Sequence, residues 1–378
     1  MKNVLFLSSW YPSRVHSTLG NFVRYHALAA SKYNSVNVLY IVADDKVSDY
    51  EIEHFKDKEL NTTIVYFKRG VFKYLNYFIA FLKGFKFLKN KKSLKFDIVH
   101  MNIMHPGIWQ ALYLKWRYKI PYIVSENWHG FQDLNKYNLS YLELKIIQLG
   151  FRFSSAISPV SQQLENCMIK ANYKANYQII PNVVDTNKFN IVKSKDLNNH
   201  FTFLHVSTLD DSIKNVSGII DAFEKLTHQN ITLKIIGDGP TGWIFDKIKD
   251  LKTTNSIIIE KEKTHDQIAK EMRNADVFVL FSNIENLPLV LIESISSGTP
   301  FIASKVGGIP ELFNNDLGKL VESGNIGQLV QEMNFMIENP FYFDSSKIRS
   351  HALQHYSEKE VGKQFNDLYI EIANNLTN

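Results

Sequence analysis

Two glutamates carry the most chemistry in this sequence. They lie in the run Phe281-Ser-Asn-Ile-Glu285-Asn-Leu-Pro288-Leu-Val-Leu-Ile-Glu293-Ser-Ile-Ser-Ser-Gly298-Thr-Pro300. The spacing predicts a strand ending at Phe281, a loop carrying Glu285, and a helix opening at Pro288. The missing N–H of Pro288 suits a first turn, where such groups are unpaired anyway. Glu293 falls in the next turn or two, the helix stops near Gly298, and Pro300 begins another strand. One carboxylate thus precedes the helix and one rides on it, at the C-terminal edge of a parallel sheet, where open α/β sheets bind ligands. The free amides at the helix start would face an anionic diphosphate. A second glycine-rich turn, Gly307-Gly308-Ile309-Pro310-Glu311, again leads from strand to helix. Taken singly, Glu285 and Glu293 read as solvated carboxylates flanking a helix. The ordered set is what points to a ligand site.

The elements that must position them alternate along the whole chain. Val4–Leu7, Val36–Ile41, Ile64–Phe67, Ile98–Met101 and Tyr122–Val124 read as buried strands, with helices such as Phe22–Ala30 and Ile108–Trp116 between them. The pattern restarts with Phe201–Val206, Thr232–Ile236, Ser256–Ile259 and Val277–Phe281, interleaved with helices at Val216–Leu226, Ile268–Arg273 and Leu289–Ser296. Apolar strands alternating with helices predict parallel sheets covered on both faces, and two such series predict two α/β doubly wound units. We expect a first domain over 1–190 and a second domain over 200–355. The boundary lies in Asn182 to Asn199, where Pro181-Asn182 signals a turn and the polar stretch Lys193–His200 precedes a fresh strand. A last helix over about 358–376, with Val361, Phe365, Leu368 and Ile372 on one side, is expected to return to the first domain.

Composition narrows the classes. A length of 378 residues with 45% hydrophobic residues fits two globular domains. Cys167 is the sole cysteine, so no intramolecular disulfide framework or cysteine metal cluster is expected, and a reducing cytoplasm fits. No segment reaches the ~20 apolar residues of a membrane span. The apolar run Val4–Leu7 is too short for a secretory signal. A formal charge of +5 suits phosphates or lipid headgroups without implying nucleic acid. The absence of Gly-x-Gly-x-x-Gly after the first strand argues against a nucleotide-dependent oxidoreductase.

Glu285 and Glu293, then Gly298-Thr-Pro300 and Gly307-Gly308-Ile-Pro-Glu311, closely resemble the signature of retaining nucleotide-sugar glycosyltransferases of the GT-B type, family four (glycosyl transferases group 1). Ile179-Ile-Pro-Asn182-Val-Val-Asp185, Ile235-Ile-Gly237-Asp238-Gly239-Pro240, Ser158-Pro-Val-Ser161 and Gly20-Asn21-Phe-Val also fit, in order, across nearly the whole chain. The resemblance implies two Rossmann-like domains facing across a cleft, the first (1–190) on the acceptor side and the second (200–355) binding the donor, and a sugar moved from a nucleotide diphosphate sugar to a saccharide or lipid-linked acceptor. It points to bacterial surface polysaccharide synthesis, such as capsule, exopolysaccharide or lipopolysaccharide, with retention of anomeric configuration. It also implies roles. Glu293 holds the donor ribose, Glu285 contacts the transferred sugar, and amides from Asn286 through Leu287 and Pro288 to Leu289 face the donor. Lys214, in Leu209-Asp-Asp-Ser-Ile-Lys214-Asn215, binds the diphosphate, and the Gly20-Asn21 loop closes over the phosphates. The family's arginine is replaced by Thr208, and its first-domain histidine by Asn127, with His129 two residues on as a substitute; His129 joins Glu285 and Lys214 as a catalytic candidate. His100 and His105 read as structural or acceptor-side residues. Asp-x-Asp, the usual glycosyltransferase metal clamp, does not occur, so no metal and no cofactor is expected, Lys214 and amide dipoles stabilising the departing diphosphate instead.

Two other readings use the same fold: a nucleotide-sugar epimerase, which needs no acceptor, and a non-catalytic partner subunit. One further segment stands out by charge. No Asp or Glu occurs from Leu60 to Phe96, whereas Lys68, Arg69, Lys73, Lys83, Lys86, Lys89, Lys91, Lys92 and Lys95 do. Phe72, Leu75, Phe78, Ile79, Leu82 and Phe85 give it helical spacing. Residues 67–96 therefore read either as a core-packed helix or as a patch facing anionic membrane, which would place the protein on the inner face of the cytoplasmic membrane.

Overall fold

The structure is a computed structural model describing residues 1–16, 19–70, 72–92, 95–191, 200–249 and 251–375. Two compact units divide the chain: Met1–Val183 with Glu358–Asn378, and Val184–Ser357. Residues 184–190 thus belong to the second unit. The Val184 amide donates to the Tyr356 carbonyl, and the Arg349 guanidinium donates to the carbonyls of Thr186, Phe189 and Ser296. Most of the expected polar linker, 192–199, lies outside the described residues, as does residue 376 at the end of the expected last helix.

The first unit is built on seven strands: β1 (Asn3–Ser8), β2 (Ser35–Ala43), β3 (Tyr50–Asp57), β4 (Leu60–Phe67), β5 (Ile98–Asn102), β6 (Tyr122–Glu126) and β7 (Ala156–Pro159). Their order is β3-β4-β2-β1-β5-β6-β7, and every pair is parallel except β3–β4. No apolar run marks β3, because Tyr-Glu-Ile-Glu-His-Phe-Lys-Asp is an edge strand with five of its eight residues exposed. A turn with Lys58 in the left-handed region joins it to β4, and ion pairs from Arg14 to Glu51 and from Arg24 to Asp57 hold it. The last helix, Glu358–Asn375, belongs to this unit and buries Val361, Phe365, Leu368, Tyr369 and Ile372. Gly362 allows the approach to helix Asn21–Ser31, since a Cβ there would sit 2.1 Å from the Ala29 carbonyl oxygen. Each of those buried side chains contributes about 1.5–3 kcal/mol.

The second unit has six strands, all parallel: β8 (Phe201–Ser207), β9 (Ile231–Gly237), β10 (Ser256–Lys261), β11 (Val277–Leu280), β12 (Phe301–Ser304) and β13 (Gly318–Val321), ordered β10-β9-β8-β11-β12-β13. Counted from its own first strand, this is the 3-2-1-4-5-6 order of a Rossmann sheet. Its core packs Phe203, Ile219, Phe223, Ile235, Val279 and Phe281 from strands and covering helices into one cluster. In both units the strand order reverses at one place: between β1 and β5 in the first, between β8 and β11 in the second. Diverging crossovers leave a crevice there at the carboxyl ends of the strands, which is where loops can hold a ligand.

The basic segment forms helix Lys73–Lys92, and it is packed, not free. Ala80, Phe81, Phe85 and Leu88 are buried, and Phe81 and Phe85 meet Trp109, Tyr113 and Tyr118. Lys83 lies over the Tyr50 ring and Lys89 over that of Tyr118.

Candidate functional site

In the second unit the loops after β8 and β11 meet at the switch point. Past β8, Leu209 takes a left-handed turn and Asp210 caps a single helical turn, Asp211–Lys214, that sets the direction of Lys214. Past β11, Asn283 bridges to that turn. Its amide donates to the Ile213 carbonyl at 2.7 Å and its side chain to the Ser212 carbonyl at 3.1 Å. The result is a direct contact: Lys214 Nζ donates to Glu285 Oε1 at 2.6 Å, and the Ser282 hydroxyl donates to the same oxygen at 2.8 Å. Glu285 is buried and Lys214 largely so. The structure therefore joins two residues that are 71 positions apart in sequence.

Two glycines make the loops fit. Gly307 has φ +56, and a Cβ there would fall 1.9 Å from the Glu285 carbonyl oxygen, while the Gly308 amide donates to the Asn286 carbonyl at 2.7 Å. The second glycine-rich turn is thus the floor on which the Glu285 loop rests. Gly237 plays the same part at the other side, where a Cβ would lie 2.1 Å from the Ser207 carbonyl oxygen.

Helix Leu289–Ser296 has the bounds expected from sequence, with Pro288 at the N-cap and no side chain capping its amides. Asn286, Leu287 and Pro288 are buried just before it, and Leu289 and Val290 are half-buried at its start. Glu293 lies one turn in and is 2% exposed. His265 Nδ1 stands 3.4 Å from Glu293 Oε1, an ion-pairing distance without hydrogen-bond alignment, so among the described residues that oxygen has no hydrogen-bond partner. An unsatisfied buried oxygen costs about 1–3 kcal/mol unless a ligand supplies a donor. Sequence reasoning did not single out His265. The signal was the Thr264–Gln267 capping box, which fixes His265 at the first position of helix His265–Asn274.

A second unforeseen histidine, His205, is fully buried at the switch point. Its Nδ1 contacts the Val279 carbonyl at 2.8 Å, and because a carbonyl only accepts, that nitrogen carries the proton. Nε2 then accepts from the Ser207 hydroxyl at 2.8 Å. Burial lowers its pKa to about 4, so it stays neutral and ties β8 to β11. Thr208, which stands where the family arginine is expected, is exposed at the end of β8.

The remaining candidates lie in the first unit. Gly20 has φ +77 and sits against the Trp10 carbonyl oxygen, 2.4 Å from where a Cβ would be, and Asn21 opens the helix that follows it. His129 is exposed on a short turn after β6, its ring 5.9 Å from that of Tyr137. The Asn127 side chain donates to Asn182 Oδ1 at 3.3 Å. His100 is structural: its ring nitrogens meet the Tyr369 and Ser125 hydroxyls at 2.6 and 2.7 Å, and burial holds its pKa well below the usual value. His105 is half-buried and stacks on Trp128.

Glu126, fully buried, clamps the loops after β5 and β6 by accepting from the amides of Met104, Asn127 and Trp128. Burial pushes its pKa up to about 7 against the pull of those amides. The fold therefore keeps a proton that the unfolded chain gives up near the ordinary value of 4.5. Its stabilising effect is complete below that value and lost as pH rises through 7. Glu126→Gln is expected to lessen the fall in melting temperature between pH 5 and pH 8, a difference of about 3 kcal/mol at full effect. Parallel melting curves for wild type and variant would refute this.

The comparisons with known proteins agree with this architecture. Two Rossmann-like units of this order make the chain a GT-B protein. HepE of Anabaena, solved with UDP and glucose, superposes with a TM-score of 0.75 at 19% identity, over 98% of this chain and 100% of that one. The lipopolysaccharide outer core galactosyltransferase WaaB, in its apo form, gives 0.69 at 17% identity, over 98% and 99%. The chain belongs to the glycosyl transferases group 1 family, whose model matches residues 162–359, and the model for Glycosyltransferase Family 4 matches 26–188. N-acetyl-alpha-D-glucosaminyl L-malate synthase of Bacillus anthracis is 23% identical over 318 residues, 80% of this chain and 81% of that protein.

Proposed function

We propose that this glycosyltransferase moves a sugar from a nucleoside diphosphate sugar to a saccharide or lipid-linked acceptor, with retention and without a metal, in bacterial surface polysaccharide assembly. The observation that carries the reading is the pairing at the β8/β11 switch point of Lys214 and Glu285, beside a helix bearing a buried Glu293 whose Oε1 has no hydrogen-bond partner among the described residues. A ribose diol would supply the donor that Glu293 Oε1 lacks. Sugar hydroxyls would meet Glu285, and Lys214 would turn its charge to the diphosphate as the glycosidic bond breaks and the nucleoside diphosphate leaves. The uncapped amides of helix Leu289–Ser296 would add positive potential at the same place. HepE, solved with UDP and glucose, and WaaB, a lipopolysaccharide enzyme, support the donor class and the setting.

The test is calorimetric titration with UDP and other nucleoside diphosphates, followed by turnover of the matching sugar donors, with and without acceptor and in excess chelator. Glu293→Ala should weaken nucleotide binding about tenfold to a hundredfold, the worth of a hydrogen bond to a charged group. His265→Ala should have a smaller effect in the same direction, and Glu285→Ala should lower turnover more than nucleotide affinity. Wild-type behaviour of Glu293→Ala and Glu285→Ala together would refute the site. Turnover without acceptor to an epimerised donor would favour the epimerase reading, no donor turnover the non-catalytic one, and activity abolished by chelator and restored by manganese would refute metal independence.

A further inference from the structure

We infer that the first unit carries a docking tip for anionic lipid, formed by the start of helix Lys73–Lys92 and the start of helix Tyr141–Phe153. Five large side chains there face solvent: Phe72 at 72% exposure, Tyr74 at 74%, Leu75 at 54%, Tyr141 at 76% and Leu142 at 67%. Exposed basic residues, Lys68, Arg69, Lys73 and Lys145, rim them.

The fold brings the two helix starts together. Both helices flank helix Ile108–Tyr118. Tyr77 and Phe78 each lie 5.4 Å, ring to ring, from Trp109, and Gly150 packs on Ile108. As crossover helices of a parallel sheet, all three begin at its carboxyl edge. The Glu143 carboxyl is held below its ordinary range first by the Ser140 hydroxyl and amide, then also by the charges of His105 and Lys73, which reach it from the neighbouring helix starts.

The chemistry of the tip matches a bilayer surface. Its apolar groups lie at or just before the first turns of the two helices. Two are tyrosines, whose apolar ring and polar hydroxyl suit the headgroup level. The charge around them is net positive, with Lys68, Arg69, Lys73 and Lys145 against Glu143, and anionic headgroups attract such basic residues. The structure thereby changes the geometry expected from sequence. The length of helix Lys73–Lys92 is packed, with Lys83 and Lys89 laid over Tyr50 and Tyr118, so lipid would meet the helix end-on at its first turn. This inference does not depend on the donor reading.

The test is co-sedimentation of the full chain with vesicles of phosphatidylglycerol and phosphatidylcholine, against phosphatidylcholine alone, at low and high salt. Wild type should be retained by the anionic vesicles and released by salt. Changing Phe72, Tyr74, Leu75, Tyr141 and Leu142 together to Ser should cut retention by at least about tenfold, since their burial is the apolar part of the binding. These side chains are exposed, so the melting temperature should hold. Changing Lys68, Arg69, Lys73 and Lys145 to Gln should remove the salt-sensitive part. At near-physiological salt, changing Lys83, Lys86 and Lys89 to Gln should alter retention by no more than roughly twofold, because they start ~12 Å along the helix from Leu75, beyond the screening length of about 8 Å. Equal retention on both vesicle types, none on either, or a Ser variant that binds like wild type would overturn the inference. So would self-association of the wild type in vesicle-free light scattering that the Ser variant abolishes, which would assign the patch to a second copy of the chain.

Discussion

Lys214→Met should lower sugar transfer by roughly two to three orders of magnitude, the usual effect of removing one fixed donor from a site of developing negative charge. Lys214 donates directly to Glu285, and the loop hydrogen bonds from Asn283 hold both in register. The loss should fall mainly on kcat, because charge on the diphosphate grows as the bond to the sugar breaks. The change also leaves the buried Glu285 carboxylate without its nearest cation, so a fall in stability is expected as well. Measuring kcat and KM well below the variant's melting temperature separates the two effects. A variant with kcat near wild type and only a higher KM would remove Lys214 from the chemical step.

Gly307→Ala should be nearly as damaging, although residue 307 is given no contact with a donor. Its Cβ would fall 1.9 Å from the Glu285 carbonyl oxygen and 2.6 Å from its carbon, so either the Glu285 loop or the Gly307 turn must move. A displacement near 1 Å at such a site is worth about a hundredfold in rate. Gly324 provides the control. It is also left-handed, at φ +73, but a Cβ there meets nothing within 4 Å, so Gly324→Ala carries the dihedral strain alone, about 1–2 kcal/mol. Transfer should collapse in Gly307→Ala and persist in Gly324→Ala. Equal activity in both would mean that the floor under Glu285 does not position it.

Much of this site was legible before any coordinates. Glu285, Pro288 and Glu293 sit in a strand–loop–helix punctuated by Pro and Gly, and such local signals survive folding unchanged. The family motifs added Lys214 and the glycine turns. Less legible were residues whose importance comes from distant partners. His265 and Glu293 are 28 positions apart. His205 and Val279 are 74 apart, and Glu126 and Met104 are 22 apart. No local pattern marks such pairs, because they are created by strand order. The edge strand β3 escaped for another reason: its stability comes from ladder hydrogen bonds and arginine ion pairs, so it lacks the apolar run that identifies its neighbours.

The sequence by itself determined the alternation of buried strands and helices, the two repeats of that series, and the carboxylates and turns at their carboxyl ends. These follow from hydrophobic period and from the conformational limits of Pro and Gly, which act over a few residues. Only the tertiary structure decided which loops meet. The 3-2-1-4-5-6 strand order brings the end of β8 beside the end of β11, and so sets Lys214 on Glu285. It also decided what two glycines are for: Gly307 makes room for the backbone of the Glu285 loop, and Gly237 for the backbone at the end of β8. And it split the basic segment into a packed helix and an exposed tip, because burial depends on which face of Lys73–Lys92 the sheet and helix Ile108–Tyr118 cover.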